Sequence, residues 1–263
     1  MTYTSLQFDL ADGVARITLD RPAAANTIDR ALAAELRDVS LRISHDPSVR
    51  AVVLGANGKV FCGGGDLSDF ATRSPAEVGV HLEHVALDLH VAQSRLARLG
   101  APVVAAVTGT CGGAGMSLVA ACDLVVAGES AKFTMAYTKV GLSPDGTSSY
   151  FLARVVGLRR ATELVLTNRV LAAREALDWG LVNEVVPDAD VRDRAHAIAT
   201  ALAQGPTLAF GASKRLLVEG ASSALEATMD AEVRSIAALA GTADGQEGIA
   251  AFLAKRPANF TGR

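Results

Sequence analysis

Cysteine is scarce in this chain, with three in 263 residues. Cys62, Cys111 and Cys122 are an odd number without metal-ligand spacing. A disulfide framework is therefore excluded, and the expectation is buried thiols in a reducing compartment, with no metal site. Aromatic residues make up only 5% of the chain, which leaves few rings for an aromatic-walled pocket. Neither sign of charge dominates: 25 Lys and Arg stand against 28 Asp and Glu, a net charge of −3. No basic stripe points to nucleic acid or to an anionic membrane surface, so neither is expected as a partner. No uninterrupted apolar run approaches the roughly 18 residues of a membrane span. No charged-then-apolar signal segment opens the sequence, and the expected location is cytoplasmic. Internal repeats, low-complexity segments and long linkers are also missing.

What the chain has in quantity is hydrophobic residues, 50% of the total, and 24 glycines. That suffices for one large core, read as residues 1–205, with a helical C-terminal region over 206–263. The most informative glycines lie in Cys111-Gly112-Gly113-Ala114-Gly115-Met116-Ser117, which runs into the apolar segment Leu118 to Cys122. The β-branched run Pro102 to Val107 precedes it and reads as a buried strand. Strand, glycine turn, then helix presents unpaired backbone N–H groups to an anion. A second such run is Val60-Phe61-Cys62-Gly63-Gly64-Gly65-Asp66-Leu67. Two loops giving one amide each to a single oxygen make an oxyanion hole.

The rest of the pattern is mixed. Residues 6–10 and 14–19 read as strands around the turn Ala11-Asp12-Gly13. Asp29 is positioned to cap a helix to about Ile43, with Leu32, Leu36, Val39 and Ile43 on its apolar face. Ala51 to Leu54 and Leu124 to Ala127 read as buried strands, and residues 75–98 as a helix with the stripe Leu82, Val85, Leu89, Ala92, Leu96. From 146 onward the segments 148–155, 158–167, 173–179, 189–204, 206–218, 222–240 and 244–255 fit helices. The class is α/β with a helical end.

Phe61-Cys62-Gly63-Gly64-Gly65-Asp66 resembles the F-C-A-G-A-D segment of the crotonase (enoyl-CoA hydratase/isomerase) superfamily. Gly109 to Asp123 resembles that family's second oxyanion loop, and the likeness runs from Arg21-Pro22 to the segment Phe252 to Arg256. The resemblance implies a spiral of ββα units, a CoA-thioester substrate, and trimers, often paired into hexamers. No cofactor is implied beyond the coenzyme A of the substrate. The oxyanion donors would be the amides of Gly65 and Ala114; alanine stands where the family usually has glycine, but keeps the N–H. Coenzyme A would be met by the backbone around Ala24 and Ala25, by Asp66 and Leu67, and by Phe252 and Lys255, the last two often across a subunit boundary. Read without the resemblance, Lys255 is an ordinary last-turn lysine.

The acid–base groups depart from the hydratases. Their two glutamates fall on Ser117 and Tyr137, and neither is a base at neutral pH. A carboxylate remains in Gly141-Leu142-Ser143-Pro144-Asp145-Gly146. Asp145 reads either as the cap of the following helix or, as in enoyl-CoA isomerases and 4-chlorobenzoyl-CoA dehalogenase, as a catalytic group. His90 falls on the dehalogenase's water-activating histidine, whereas a helical wheel places it off the apolar stripe as a solvated residue. Ser130 to Phe133 and the run from Ser149 to Val182 also look like the dehalogenase. Yet at the positions of its aromatic ring pocket stand Gly65, Leu89 and Tyr137, and only Tyr137 is aromatic. The leading expectation is enoyl-CoA double-bond isomerisation, with Asp145 as base and Tyr137 lining the acyl pocket. The alternatives are hydration, hydrolytic dehalogenation of an aryl-CoA by Asp145 and His90, and non-catalytic CoA or RNA binding.

Overall fold

The computed structural model describes residues 3–263. It opens on an antiparallel hairpin, β1 (Leu6–Ala11) and β2 (Val14–Leu19), with Leu6 opposite Leu19. Asp12 and Gly13 both take positive φ, 51° and 78°, the twist that a two-residue hairpin turn requires. Helix α1 (Arg30–Ser44) starts where the sequence indicates: the Asp29 carboxylate accepts the Leu32 N–H at 2.8 Å.

Three ββα turns follow. The first is β3 (Ala51–Ala56), β4 (Val60–Cys62), the short α2 (Leu67–Phe70) and the long α3 (Val78–Arg98). The second is β5 (Val103–Val107), β6 (Thr110–Gly112) and α4 (Ala114–Ala120). The third is β7 (Leu124–Gly128), β8 (Lys132–Thr134), α5 (Ser148–Val156) and α6 (Leu158–Thr167). Each turn gives its first strand to one sheet and its second to another, so β3, β5 and β7 run parallel in the first and β4, β6 and β8 in the second. The spiral implied by the resemblance is thus present. β9 (Leu171–Ala172) pairs with β8, α7 (Ala173–Asp178) leads to β10 (Glu184–Val186), and β10 closes the larger sheet beside β7.

Burial explains the sequences. Strand β5 is buried on both faces, as a parallel strand covered on both sides must be. Helix α8 (Val191–Ala203) covers one face with Val191, Ala195, Ala199 and Ala203 against Val53, Val104 and Val126. Small residues every fourth position let the helix axis approach the sheet closely. The chain ends in α9 (Thr207–Gly220), α10 (Leu225–Ala240) and α11 (Ala243–Leu253), and residue 206 falls in the turn between α8 and α9. Helix α9 is tied to the core by Lys214, whose Nζ lies 2.6 Å from Asp123 and 3.1 Å from the Ala101 carbonyl. Helix α10 buries no residue, and Leu225, Met229, Val233 and Ile236 form an exposed stripe along it. No helix among the described residues is long and apolar enough to cross a membrane.

Two expectations need correction. Helix α3 begins at Val78, because Ser74 and Glu77 close a turn on themselves, the Ser74 hydroxyl lying 2.6 Å from the Glu77 carboxylate. Asp145 does not cap α5: the N-cap is Thr147, which takes no side-chain cap.

Candidate active site

The two glycine loops meet. A Cβ built on Gly64 (φ +105°) would lie 3.2 Å from the Gly112 carbonyl oxygen, so the loops touch only because glycine stands there. Gly64 accepts the Ile28 N–H at 2.7 Å, and the Asp66 N–H donates to the Ile28 carbonyl at 3.0 Å. Bonds on either side of Gly65 face Ile28, so by strand alternation the Gly65 N–H points the opposite way. Ala114 is the first residue of α4, whose ladder starts only when the Ser117 N–H reaches the Gly113 carbonyl at 3.1 Å. Its own N–H therefore lies outside the ladder. Gly65 and Ala114 both line one cavity of about 400 Å3.

Leu67, Phe70, Leu82, Leu89, Val140 and Leu142 supply apolar wall to this cavity, and Tyr137 and Asp145 supply polar groups. Among the described residues Phe70 and Tyr137 are the only rings on the wall; the rest is mostly aliphatic or glycine, with Glu83, Lys139 and Ser143 adding polar groups. Helix α3 contributes Gly79, Leu82 and Ala86, the edge of its apolar stripe. The sequence marked Leu82 as core, and Gly79 carried no signal at all. Phe70, Val140 and Leu142 were likewise missed, because the short helical turns and loop that carry them are too brief to show a period.

Asp145 is held by its neighbours. The Tyr137 hydroxyl donates to Asp145 Oδ1 at 2.6 Å. Burial and the nearby Asp145 charge push the Tyr137 phenol well above its ordinary range, so it stays a proton donor. The Asp145 carbonyl accepts from Ser117 Oγ at 3.2 Å and from Ser148 Oγ at 2.8 Å. Ser117 Oγ also lies 3.1 Å from the Tyr137 hydroxyl. Ser117 is wholly buried and absent from the cavity wall; it stands behind the pocket it was expected to line. His90 is neither on the wall nor solvated. It is half-buried, and its Nε2 accepts the Gly146 N–H at 3.1 Å.

The residues assigned to coenzyme A fall into two groups. Ala25 (φ 51°) accepts the Gly63 N–H at 3.0 Å, which fixes the Ala24–Ala25 turn against the first glycine loop. Asp66 is buried, caps α2 through the Ser68 and Asp69 amides, and bonds Thr27 Oγ1 at 3.0 Å and Arg21 at 3.2 Å. Burial opposes its charge, but the Asp69 amide, Thr27 and Arg21 outweigh burial and hold its carboxyl below the usual range. Leu67 lies half-exposed on the cavity wall. Phe252, 83% exposed, and Lys255 lie at the end of α11 and do not reach this cavity within one chain. Burial pushes the Cys62 and Cys122 thiols up to about 12, which keeps them protonated at neutral pH.

The family model for enoyl-CoA hydratase/isomerase matches residues 9–263. A 4-chlorobenzoyl coenzyme A dehalogenase of an Arthrobacter species is 38% identical over 93% of this chain and 88% of its own. The 1,2-epoxyphenylacetyl-CoA isomerase of Escherichia coli is 37% identical over 95% of this chain and 96% of its own. A solved enoyl-CoA hydratase/isomerase structure from Mycobacterium abscessus superposes with a TM-score of 0.90, at 37% identity over 98% of this chain and 100% of that one. Matched along nearly its whole length, and carrying both glycine loops in contact, the chain belongs to the enoyl-CoA hydratase/isomerase family.

Proposed function

We propose that the protein moves the double bond of an enoyl-CoA thioester, using Asp145 as its single base. The observation that carries this reading is the placement of Asp145 on the wall that also bears Gly65 and Ala114, where Tyr137 occupies one carboxylate oxygen. Asp145 Oδ2 takes no hydrogen bond from the described residues and is free to face substrate. It removes a proton from the carbon next to the thioester carbonyl of a 3-enoyl chain. The electron pair delocalises onto the thioester oxygen, where the Gly65 and Ala114 amides stabilise it. Asp145 then returns the same proton to the far carbon of the allylic system, leaving the 2-enoyl isomer. Two fixed donors supply most of the barrier reduction, each worth about 3–4 kcal/mol. The aliphatic wall suits an alkyl chain.

Coenzyme A would run past the Ala24–Ala25 turn, Asp66 and Leu67. Phe252 and Lys255 of a neighbouring subunit in a trimer would complete its site. Hydration needs a second group to orient water, and Ser117 and Tyr137 stand where the hydratase glutamates fall. The other carboxylate on the wall, Glu83, is exposed on α3.

A second reading has an observation in its favour: His90 accepts the N–H of Gly146, the residue that follows Asp145. Hydrolytic dehalogenation of an aryl-CoA would use Asp145 as nucleophile and His90 as base. The decisive measurement is mass spectrometry of a 3-enoyl-CoA incubated in oxygen-18 water. Unchanged mass with a shifted double bond supports isomerisation. A labelled hydroxyacyl product overturns it in favour of hydration. No product there, with halide release from an aryl-CoA, overturns it in favour of dehalogenation.

A further inference from the structure

We infer that His90 is a positioning residue whose neutral imidazole, by accepting the Gly146 N–H at Nε2, holds the turn that presents Asp145, and that it is not a base. The inference rests on the reading of Asp145 as the catalytic carboxylate. A backbone N–H can only donate, so at 3.1 Å the ring nitrogen facing it must carry a lone pair. The ring proton of a neutral His90 is then on Nδ1. A base that took a proton at Nε2 would lose this bond and set two N–H groups against each other.

The turn needs holding. Gly146 and Thr147 both take left-handed backbone, φ 57° and 60°, and for a β-branched threonine that is a real conformational cost. Gly146 cannot be replaced to relieve it, since a Cβ there would lie 2.9 Å from the Ser117 Cβ. Such a conformation persists only where the surroundings over-determine it. Tyr137, Ser117 and Ser148 fix Asp145 itself. Gln93, one helical turn beyond His90, packs against the same glycine, but among the described residues its buried amide has no hydrogen-bond partner. Among the described residues His90 is therefore the one hydrogen bond from α3 to this turn. It also makes α3, which walls the acyl cavity, the element that sets the height of the base.

The test has two arms. Protein labelled with 15N-histidine is examined by NMR, and His90 is picked out from the five histidines by the signals lost in His90→Gln. The expected spectrum shows an unprotonated Nε2 and a protonated Nδ1; a protonated Nε2 overturns the assignment. The second arm compares kcat on a 3-enoyl-CoA for His90→Gln, which keeps an acceptor, and His90→Leu, which does not. His90→Leu is expected to lose on the order of 100-fold in kcat, the cost of a small misplacement of a reacting group, with KM little changed. His90→Gln is expected to recover at least tenfold of it. Equal losses in the two variants overturn the positioning role. If the parent shows no isomerase activity, the isomerase reading fails, while the tautomer still decides the assignment of His90.

Discussion

Ala114→Pro isolates one proposed oxyanion donor with little collateral damage, because of where α4 begins. Proline removes an N–H and clashes with the preceding turn inside a helix, but at the first helical position neither penalty applies. The first bond of the α4 ladder runs from the Ser117 N–H to the Gly113 carbonyl, so no ladder bond is lost. Proline also restricts the residue before it, disfavouring the α region. Gly113 lies at φ 49°, ψ −123°, far from that region and open to glycine. On the proposed reading, the substitution removes the N–H that would face the thioester oxygen. One such donor is worth about 2.7–4 kcal/mol of barrier, or 10²–10³ in kcat. The assay is the rise in absorbance as a 3-enoyl-CoA becomes the conjugated 2-enoyl isomer, with thermal unfolding run in parallel. Ala114→Gly, which keeps the donor, is the control and should stay near the parent. A well-folded Ala114→Pro variant that keeps kcat within about threefold would refute the two-amide argument, since no other contribution of that size is assigned to this backbone.

Asp145→Asn should lower kcat by about 10²–10⁴-fold, the usual worth of a general base, while KM holds because Tyr137 can still donate to the amide oxygen; unimpaired turnover would remove Asp145 from the mechanism. Gly79→Phe, at a cavity-wall position where an added Cβ meets nothing within 4 Å, should raise KM for long enoyl chains and spare short ones, read from kcat/KM across a chain-length series. Lys214→Met strands the Asp123 carboxylate, which burial already raises above its usual range despite Lys214 and the Val103 amide. It should cost about 3 kcal/mol in urea unfolding, the low end for breaking a buried pair, because Asp123 keeps 25% exposure; an unchanged midpoint would show that α9 docks without the pair. Alkali should destabilise the fold. The Cys62, Cys122 and Tyr137 groups ionise higher in the folded protein than in the unfolded chain. Their contribution is complete below the unfolded thiol range near about 8.5 and drains away as pH rises above it. A urea midpoint flat to about pH 11, past the free tyrosine range, would contradict that sign.

The parts of the fold with long periodic signals were legible. The Asp29 cap, the α1 stripe, the continuous apolar run of β5 and the helical end all follow from spacing, because burial imposes a period that spans several turns. The strands β4, β6, β8 and β9 of the second sheet carry two or three residues each, too few for alternation to register, so that sheet came only from family likeness. The contact between the two glycine loops was legible because glycine records close backbone approach. His90 was not legible on a helical wheel. The wheel distinguishes core from solvent, and a residue off the stripe that is bonded to a loop 56 positions away belongs to neither. Ser117 was misplaced for a related reason: its position along α4 is fixed by sequence, but which side of Tyr137 it occupies is decided by packing.

That misplacement bears on mechanism. The Ser117 hydroxyl reaches the Gly113 carbonyl, the Asp145 carbonyl and the Tyr137 hydroxyl. It therefore joins the first turn of α4, which carries the Ala114 amide, to the turn that carries Asp145. The Asp145 turn and the Ala114 amide, the proposed base and oxyanion donor, are set relative to each other through one small side chain with little room around it, since a Cβ on Gly146 would lie 2.9 Å from its Cβ. A glutamate at this position would have to displace the Gly146 turn, and with it the His90 bond and the Tyr137–Asp145 pair. The serine at 117, the tyrosine at 137 and the aspartate at 145 thus form one arrangement, in which the space a hydratase gives to a second carboxylate is spent on fixing the first. On the proposed reading, such a site serves chemistry that needs one movable proton and no added water.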